Sequence, residues 1–215
     1  MKKIGIIGSG QVGQSLARGF LKYNYPVMIG SRSRQKQSEL ESLIGGEIRV
    51  GDFPKTAAYG EIIVLAVKGS IASDALQTIP SPALKDKIII DATNPIADSQ
   101  PENGVLKFFT DQNHSLMEQL QASFSESMFV KAFSCIGSAL MVNPHFDGGL
   151  RPTMFICGNN EEAKMEVKHI TDLFGFETED MGGVEAARAI EPLCMLWCIP
   201  GFKSNAWGHA FKMLK

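Results

Sequence analysis

Residues 3–13 read KIGIIGSGQVG. An apolar run ends at Ile7, and Gly8-Ser9-Gly10-Gln11-Val12-Gly13 follows without a gap and opens an amphipathic stretch. In that setting Gly-x-Gly-x-x-Gly is a dinucleotide fingerprint. Gly8 permits the tight turn, Gly10 lets the backbone approach a pyrophosphate with no Cβ in the way, and Gly13 lets the helix pack close to the strand. Backbone N–H groups at the helix start then face the phosphates, aided by the helix dipole.

Working outward, the second apolar run ends at Ile29, about 20 residues after the loop, where NAD enzymes place an Asp or Glu on the ribose 2′-hydroxyl. Here the chain reads Gly30-Ser31-Arg32-Ser33-Arg34-Gln35-Lys36, with no carboxylate before Glu39. Hydroxyls and cations suit a 2′-phosphate, and an arginine fork suits it best. The expected cofactor is NADP, read through Ser31, Arg32 and Lys36.

The rest of the chain alternates short Ile/Val-rich runs with longer amphipathic segments. Strands are expected at Lys3–Ile7, Pro26–Ile29, Glu47–Val50, Ile62–Val67, Lys87–Asp91, Met128–Ala132, Thr153–Cys157 and Thr178–Met181. Helices are expected at Val12–Lys22, Gln35–Leu43, Ser70–Gln77, Ser115–Phe124 and Glu161–Phe174. Nearly continuous apolar strands alternating with helices predict an α/β fold, a doubly wound, mostly parallel Rossmann sheet. After Val184 only helical patterning remains, so residues 1–183 read as the nucleotide-binding domain and 184–215 as a small C-terminal helical segment. Ala186–Trp197 is apolar around most of its circumference, with a kink expected at Pro192, a break at Pro200-Gly201 and a last helix over Lys203–Leu214. That apolar helix is the expected contact of a symmetric homodimer.

Three strand exits should meet the nicotinamide end of the cofactor. They supply Ala66, Val67, Lys68 and Gly69, then Asn94 and Pro95, then Ile136, Gly137 and Ser138. No Ser-x-x-Lys, no Tyr-x-x-x-Lys at an expected position and no Asp–His pair accompanies them, so no catalytic side chain is assigned. Such an absence is tolerable where a hydride passes directly from one ring to another and the protein only aligns them.

Composition excludes other classes. The chain has 215 residues, 44% of them hydrophobic, and a formal charge of −2, with no global basic field for nucleic acid or membrane surfaces. Cys135, Cys157, Cys194 and Cys198 form no CxxC pair, and the four histidines lack metal-ligand spacing, so no metal site is expected. No apolar run reaches the ~18 residues of a membrane span. GSGQVG interrupts the N-terminal apolar stretch too early for a signal peptide. The expected location is the cytoplasm.

The chain resembles the NADP oxidoreductase family that depends on coenzyme F420, a deazaflavin. The stretches that carry the resemblance are IGIIGSGQVGQSLA, VMIGSRSRQK, IIVLAVK, IIIDATNP, FICGNNEEAK and IEPLCMLWCIPGFKSNAWGHAFK. The resemblance implies NADP contacts at Ser9, Gly10, Gln11, Val12, Ser31, Arg32 and Lys36, and pocket contacts at Gly69, Ile136 and Ser138. Deazaflavin enzymes of the family tend to have Pro and an aromatic after the fourth strand, where this chain has Lys68 and Gly69. They tend to have His and Pro after the sixth, where it has Ser134 and Gly137. The cytosolic domains of membrane-bound iron and copper reductases, which pass electrons to a flavin, are similar too.

The expected function is hydride transfer between NADP(H) and a small-molecule acceptor, either F420 or a flavin such as FMN or FAD. A flat acceptor ring would lie among Lys68, Asn94 and Ile136–Ser138, with Trp207 and Phe211 on one face of the last helix as a lid. The alternatives are reduction of a small imine or ketone, as in pyrroline-carboxylate reductases, and a non-catalytic NADP sensor.

Overall fold

The computed structural model of the chain describes residues 1–45 and 47–215. Six strands, β1 (Ile4–Ile7), β2 (Val27–Gly30), β3 (Arg49–Gly51), β4 (Ile62–Leu65), β5 (Ile88–Asp91) and β6 (Met128–Lys131), form one parallel sheet in the order β3-β2-β1-β4-β5-β6. Ile4 pairs with Val27 on one side and Ile62 on the other, and Ile62 pairs in turn with Ile88. The strand order reverses direction at β1 and β4, and the crevice for a dinucleotide opens there, above the carboxyl ends of the strands.

Successive side chains of a strand point to opposite faces, so each apolar run feeds two cores. On one face Ile4, Ile6, Ile62, Val64, Ile90 and Val130 pack with helices α1 (Gln11–Lys22), α2 (Arg34–Ile44) and α6 (Glu161–Leu173), through Leu16, Phe20, Leu40, Val167 and Phe174. On the other face Ile7, Ile63, Leu65, Ile89 and Phe129 pack with α3 (Phe53–Tyr59), α4 (Ala72–Gln77) and α5 (Leu116–Ser123), through Ala57, Leu76, Leu116 and Leu120. Helix α3 was not among the expected elements, because seven residues are too few to show a period. Its local signals are nonetheless ordinary: Asp52 accepts from the Lys55 N–H at 2.8 Å, and Pro54 sits in the first turn. A second, two-stranded parallel sheet, β7 (Thr153–Ile156) and β8 (Glu177–Asp180), flanks α6 and joins the main sheet where the Lys131 N–H donates to the Cys157 carbonyl at 3.0 Å.

The C-terminal segment corrects three expectations. Ala186–Trp197 is not one kinked helix but two, α7 (Ala187–Ile190) and α8 (Leu193–Ser204), separated at Glu191-Pro192. Helix α8 runs through Pro200 and Gly201 and stops only at Asn205, whose φ of 54° is left-handed. The proline lacks one helical hydrogen bond, but Trp197, Cys198 and Gly201 are buried around it. Residues 205–215 form no helix. Their backbone is used by other elements: Trp197 Nε1–H donates to His209 O at 2.8 Å, Thr153 N–H to Phe211 O at 2.8 Å, and Met213 N–H to Thr153 Oγ1 at 2.9 Å. Trp207 and Phe211 therefore share no helix face.

Candidate functional site

The groove at the switch point is lined by Gly8, Ser9, Gly10, Ser31, Arg32, Ser33, Lys36, Phe53, Ala66, Val67, Lys68 and Ile71, around a cavity of about 290 Å³. It brings together the phosphate loop, the β2 exit and the β4 exit. Gly8 has φ 124°, and a Cβ there would lie 2.2 Å from Ala66 O, so only glycine fits between β1 and β4. A Cβ on Gly10 would meet nothing within 4 Å. That position faces open groove, the arrangement a pyrophosphate requires. Gln11, Val12 and Gly13 form the first turn of α1, and a Cβ on Gly13 would lie 2.1 Å from Gly8 O.

The β2 exit presents hydroxyls and cations to the groove and no carboxylate. Ser31 is buried, and its hydroxyl lies 3.1 Å from the Ser9 hydroxyl and accepts from Ser33 N–H at 3.3 Å. Gln37 Nε2 donates to Ser31 O at 2.6 Å and fixes the turn from below. Ser33 caps α2 by accepting from Lys36 N–H. Arg32 and Lys36 are exposed at the rim, with no ion-pair partner among the described residues. Donors without a carboxylate fit a 2′-phosphate, so the residues present fit NADP. Phe53 and Ile71 were not expected there. Phe53 belongs to the unforeseen helix α3, and no local pattern marks it.

The remaining expected residues form a second wall beside the groove. Gly69 abuts the β5 exit: a Cβ there would lie 2.0 Å from Asn94 O. Asn94 Nδ2 donates to Ser134 O at 2.7 Å, which links the β5 exit to the β6 exit. Pro95 and Ile136 are buried beside them, and Ser138 starts a single 3₁₀ turn. Gly137 lies under the ring of Trp197, at 2.6 Å from Cη2 for a Cβ built on it. Trp197, not Trp207 or Phe211, is therefore the C-terminal aromatic that touches this wall. Its ring stacks on His209 with centroids 5.0 Å apart, and His209 Nε2 lies 2.9 Å from Trp197 O. Trp207 packs behind it at 5.6 Å.

Beneath these exits lies a buried charge cluster that the sequence reading missed. Lys131 is fully buried, with Nζ 2.7 Å from Asp91 Oδ2, 2.9 Å from Glu191 Oε1 and 3.0 Å from Thr93 O. Burial alone would drive its ammonium toward neutrality, but Asp91 and Glu191 outweigh that and hold its pKa above the ordinary value. Asp91 Oδ1 accepts from Thr93 N–H and Oγ1–H, and Glu191 accepts from the N–H groups of Leu116 and Met117, at 3.0 Å each, at the start of α5. The cluster thus ties β5, β6, α5 and the C-terminal segment together under the site. The legible signal was a charge interrupting each of three apolar runs, IIIDA, MFVKAF and AIEPL.

The Cys135 and Cys157 thiols are poor nucleophiles. Burial pushes the Cys135 and Cys157 pKa values up to about 12. Among the described residues no group of His, Cys, Asp or Glu is arranged to hold a metal ion, and no helix is long and apolar enough to cross a membrane.

With this geometry in view, comparison with known proteins is informative. Residues 3–95 match the family model described as NADP oxidoreductase, coenzyme F420-dependent. The chain is 30% identical over 207 residues to the rat (Rattus norvegicus) metalloreductase STEAP3, which covers 92% of this chain and 38% of that protein. The chain thus spans well under half the length of the curated relatives it matches. A crystal structure from Arthrobacter sp. FB24, provisionally described as an F420-dependent NADP reductase, superposes with a TM-score of 0.91 at 27% identity over 100% of both chains. Pyrroline carboxylate reductase of Plasmodium falciparum with NADP bound shares the fold, with a TM-score of 0.59 at 20% identity over 94% of this chain and 64% of that one. Through residues 3–95 the chain is thus similar to the coenzyme F420-dependent NADP oxidoreductases, and over its whole length it shares the fold of the Arthrobacter protein.

Proposed function

We propose that the protein moves a hydride between NADP(H) and a flat tricyclic acceptor, a deazaflavin such as F420 or a flavin. The observation that carries this reading is the wall beside the cofactor groove. It is made of small or backbone-bonded groups at Gly69, Asn94, Ser134 and Gly137, none of which is an acid or a base. Bound NADPH supplies the hydride. The chain's own residues do the rest: Ser31, Arg32 and Lys36 hold the 2′-phosphate, Gly10 admits the pyrophosphate, and Gly69 and Gly137 let the Asn94 backbone and the Trp197 ring close up the wall beside it. Direct transfer needs the reacting atoms about 3–3.5 Å apart, which stacked rings provide with few polar contacts.

The likeness to a structure provisionally described as an F420-dependent NADP reductase supports a ring acceptor over a small imine, because the pyrroline carboxylate reductase likeness is one of fold alone. The test is transfer from stereospecifically deuterated NADPH. With a deazaflavin, label should appear on the carbon of the reduced ring; with a flavin, whose N5–H exchanges with water, ring reduction should instead show a primary deuterium isotope effect. Unlabelled reduced deazaflavin with no isotope effect on flavin reduction, or no NADPH oxidation with any tricyclic acceptor, would overturn the reading and favour the small-carbonyl or sensor alternatives.

A further inference from the structure

We infer that Lys68, with the cavity beside it, forms a subsite for an anionic group carried on the acceptor a few bonds from its ring. The inference rests on the proposed ring acceptor and assigns the part of it that the cofactor groove leaves unexplained. Lys68 lines two adjoining cavities. One is the cofactor groove. The other, of about 380 Å³, is walled by Lys68, Ala97, Asp98, Ser99 and Gln100. The second cavity lies on the segment that follows the Asn94–Pro95 exit, so a molecule stacked against the Gly69–Asn94 wall would extend into it.

The chemistry of that cavity is one cation, one carboxylate and polar side chains. Lys68 Nζ pairs with Asp98, and both side chains are 64% exposed. A pair this exposed holds little net free energy, because water solvates both ions nearly as well apart. An incoming phosphate or carboxylate can take the ammonium from Asp98 at small cost. Ser99 and Gln100 line the same cavity and carry side-chain donors. Lysine serves such a role as a point charge with rotatable donors, and it does not demand the fixed fork geometry of arginine. Asp98 has a second consequence. It neutralises Lys68 when no ligand is bound, so its carboxylate competes with the acceptor's anion and weakens it.

Two flavin probes differ only in the group at issue: FMN carries a phosphate and riboflavin does not. The same comparison can be made between F420 and its deazaflavin chromophore lacking the phosphodiester tail. Dissociation constants measured by quenching of ring fluorescence give a readout independent of turnover. The wild-type protein should bind the phosphorylated partner of a pair roughly tenfold more tightly, as a charge-assisted contact provides. Lys68→Ala should bring that ratio close to one, and Asp98→Asn should raise it a few-fold above wild type. The opposite shifts of the two variants separate a specific subsite from misfolding, which would weaken both probes alike. Equal affinity of the wild type for both members of a pair overturns the inference while leaving ring transfer standing. So does an unchanged ratio in Lys68→Ala with weakened NADPH binding, which would assign Lys68 to the cofactor alone. Failure of all four probes to bind overturns the inference together with the reading beneath it.

Discussion

The Lys131 ammonium lies 2.9 Å from the Glu191 carboxylate, with both side chains buried, and this pair fastens the C-terminal segment to the sheet below the catalytic cleft. Removing Glu191 leaves Lys131 paired with Asp91 but takes away one of its two carboxylate partners. Glu191 also accepts from Leu116 and Met117, so its loss leaves two buried backbone donors unsatisfied at the start of α5. Glu191→Ala should cost about 2–4 kcal/mol in urea unfolding, chiefly through those donors. A change below 1 kcal/mol would show that the segment is held by its apolar contacts alone.

A second tie between α5 and the C-terminal segment should give the protein an acid-sensitive component of stability. The hydrogen bond from Arg188, assisted by the Ser115 cap, holds the Glu118 pKa near about 2, below its ordinary 4.5. A carboxylate whose pKa is lower in the folded state stabilises folding fully above its unfolded value. That contribution falls as pH drops from about 4.5 toward 2. Because Arg188 is 40% exposed, solvent screening limits the effect to ~1 kcal/mol. Arg188→Ala should lower stability by that amount at pH 6 and by almost nothing at pH 1.5. An equal loss at both values would contradict the linkage.

Gly8 and Gly10 should respond in opposite ways to the same substitution. Gly10 has φ −76° and open space where a Cβ would stand, so Gly10→Ala should leave stability within about 0.5 kcal/mol and weaken NADP binding by at least tenfold. Gly8→Ala should destabilise the fold by about 2 kcal/mol or more, since φ is 124° and Ala66 O blocks the site. Calorimetric titration alongside thermal melts separates the two effects.

Arg32→Ala should weaken NADP selectively. A lost charge-assisted contact to the 2′-phosphate amounts to on the order of 1.5–3 kcal/mol, or roughly tenfold to a hundredfold. NAD affinity should hardly change. Equal losses for the two cofactors would mean that Arg32 does not read the phosphate.

We propose that the chain forms a homodimer through the exposed apolar residues of α8, a contact displaced toward its C-terminal half from the stretch Ala186–Trp197. Cys194, Trp197 and Cys198 are already covered by Leu106, Ile96, Phe108 and Phe211 of the same chain. Leu196 and Phe202 remain 55% and 47% exposed, with Trp207 edge-on to Phe202 at 5.3 Å. Sedimentation should give a dimer at micromolar concentration, and a Leu196→Glu, Phe202→Glu double variant a monomer. A monomeric wild type would refute the proposal.

The sequence by itself determined the sheet and the cofactor end of the site. Strand periodicity, the glycine spacing at Gly8–Gly13 and the cations after β2 are local properties, and each is set by steric or electrostatic rules acting over a few residues. Tertiary structure alone decided the other end. Asp91, Lys131 and Glu191 are 40 and 60 residues apart in the chain, and only the fold brings their charges within 3 Å. Helical propensity over Lys203–Leu214 lost to tertiary hydrogen bonds from Trp197 and Thr153, which claim the backbone of that segment for an extended path. The same competition carried α8 through Pro200 and set Trp197, in place of Trp207, against Gly137. Propensities of a few tenths of a kcal/mol per residue are outweighed wherever packing and buried hydrogen bonds oppose them.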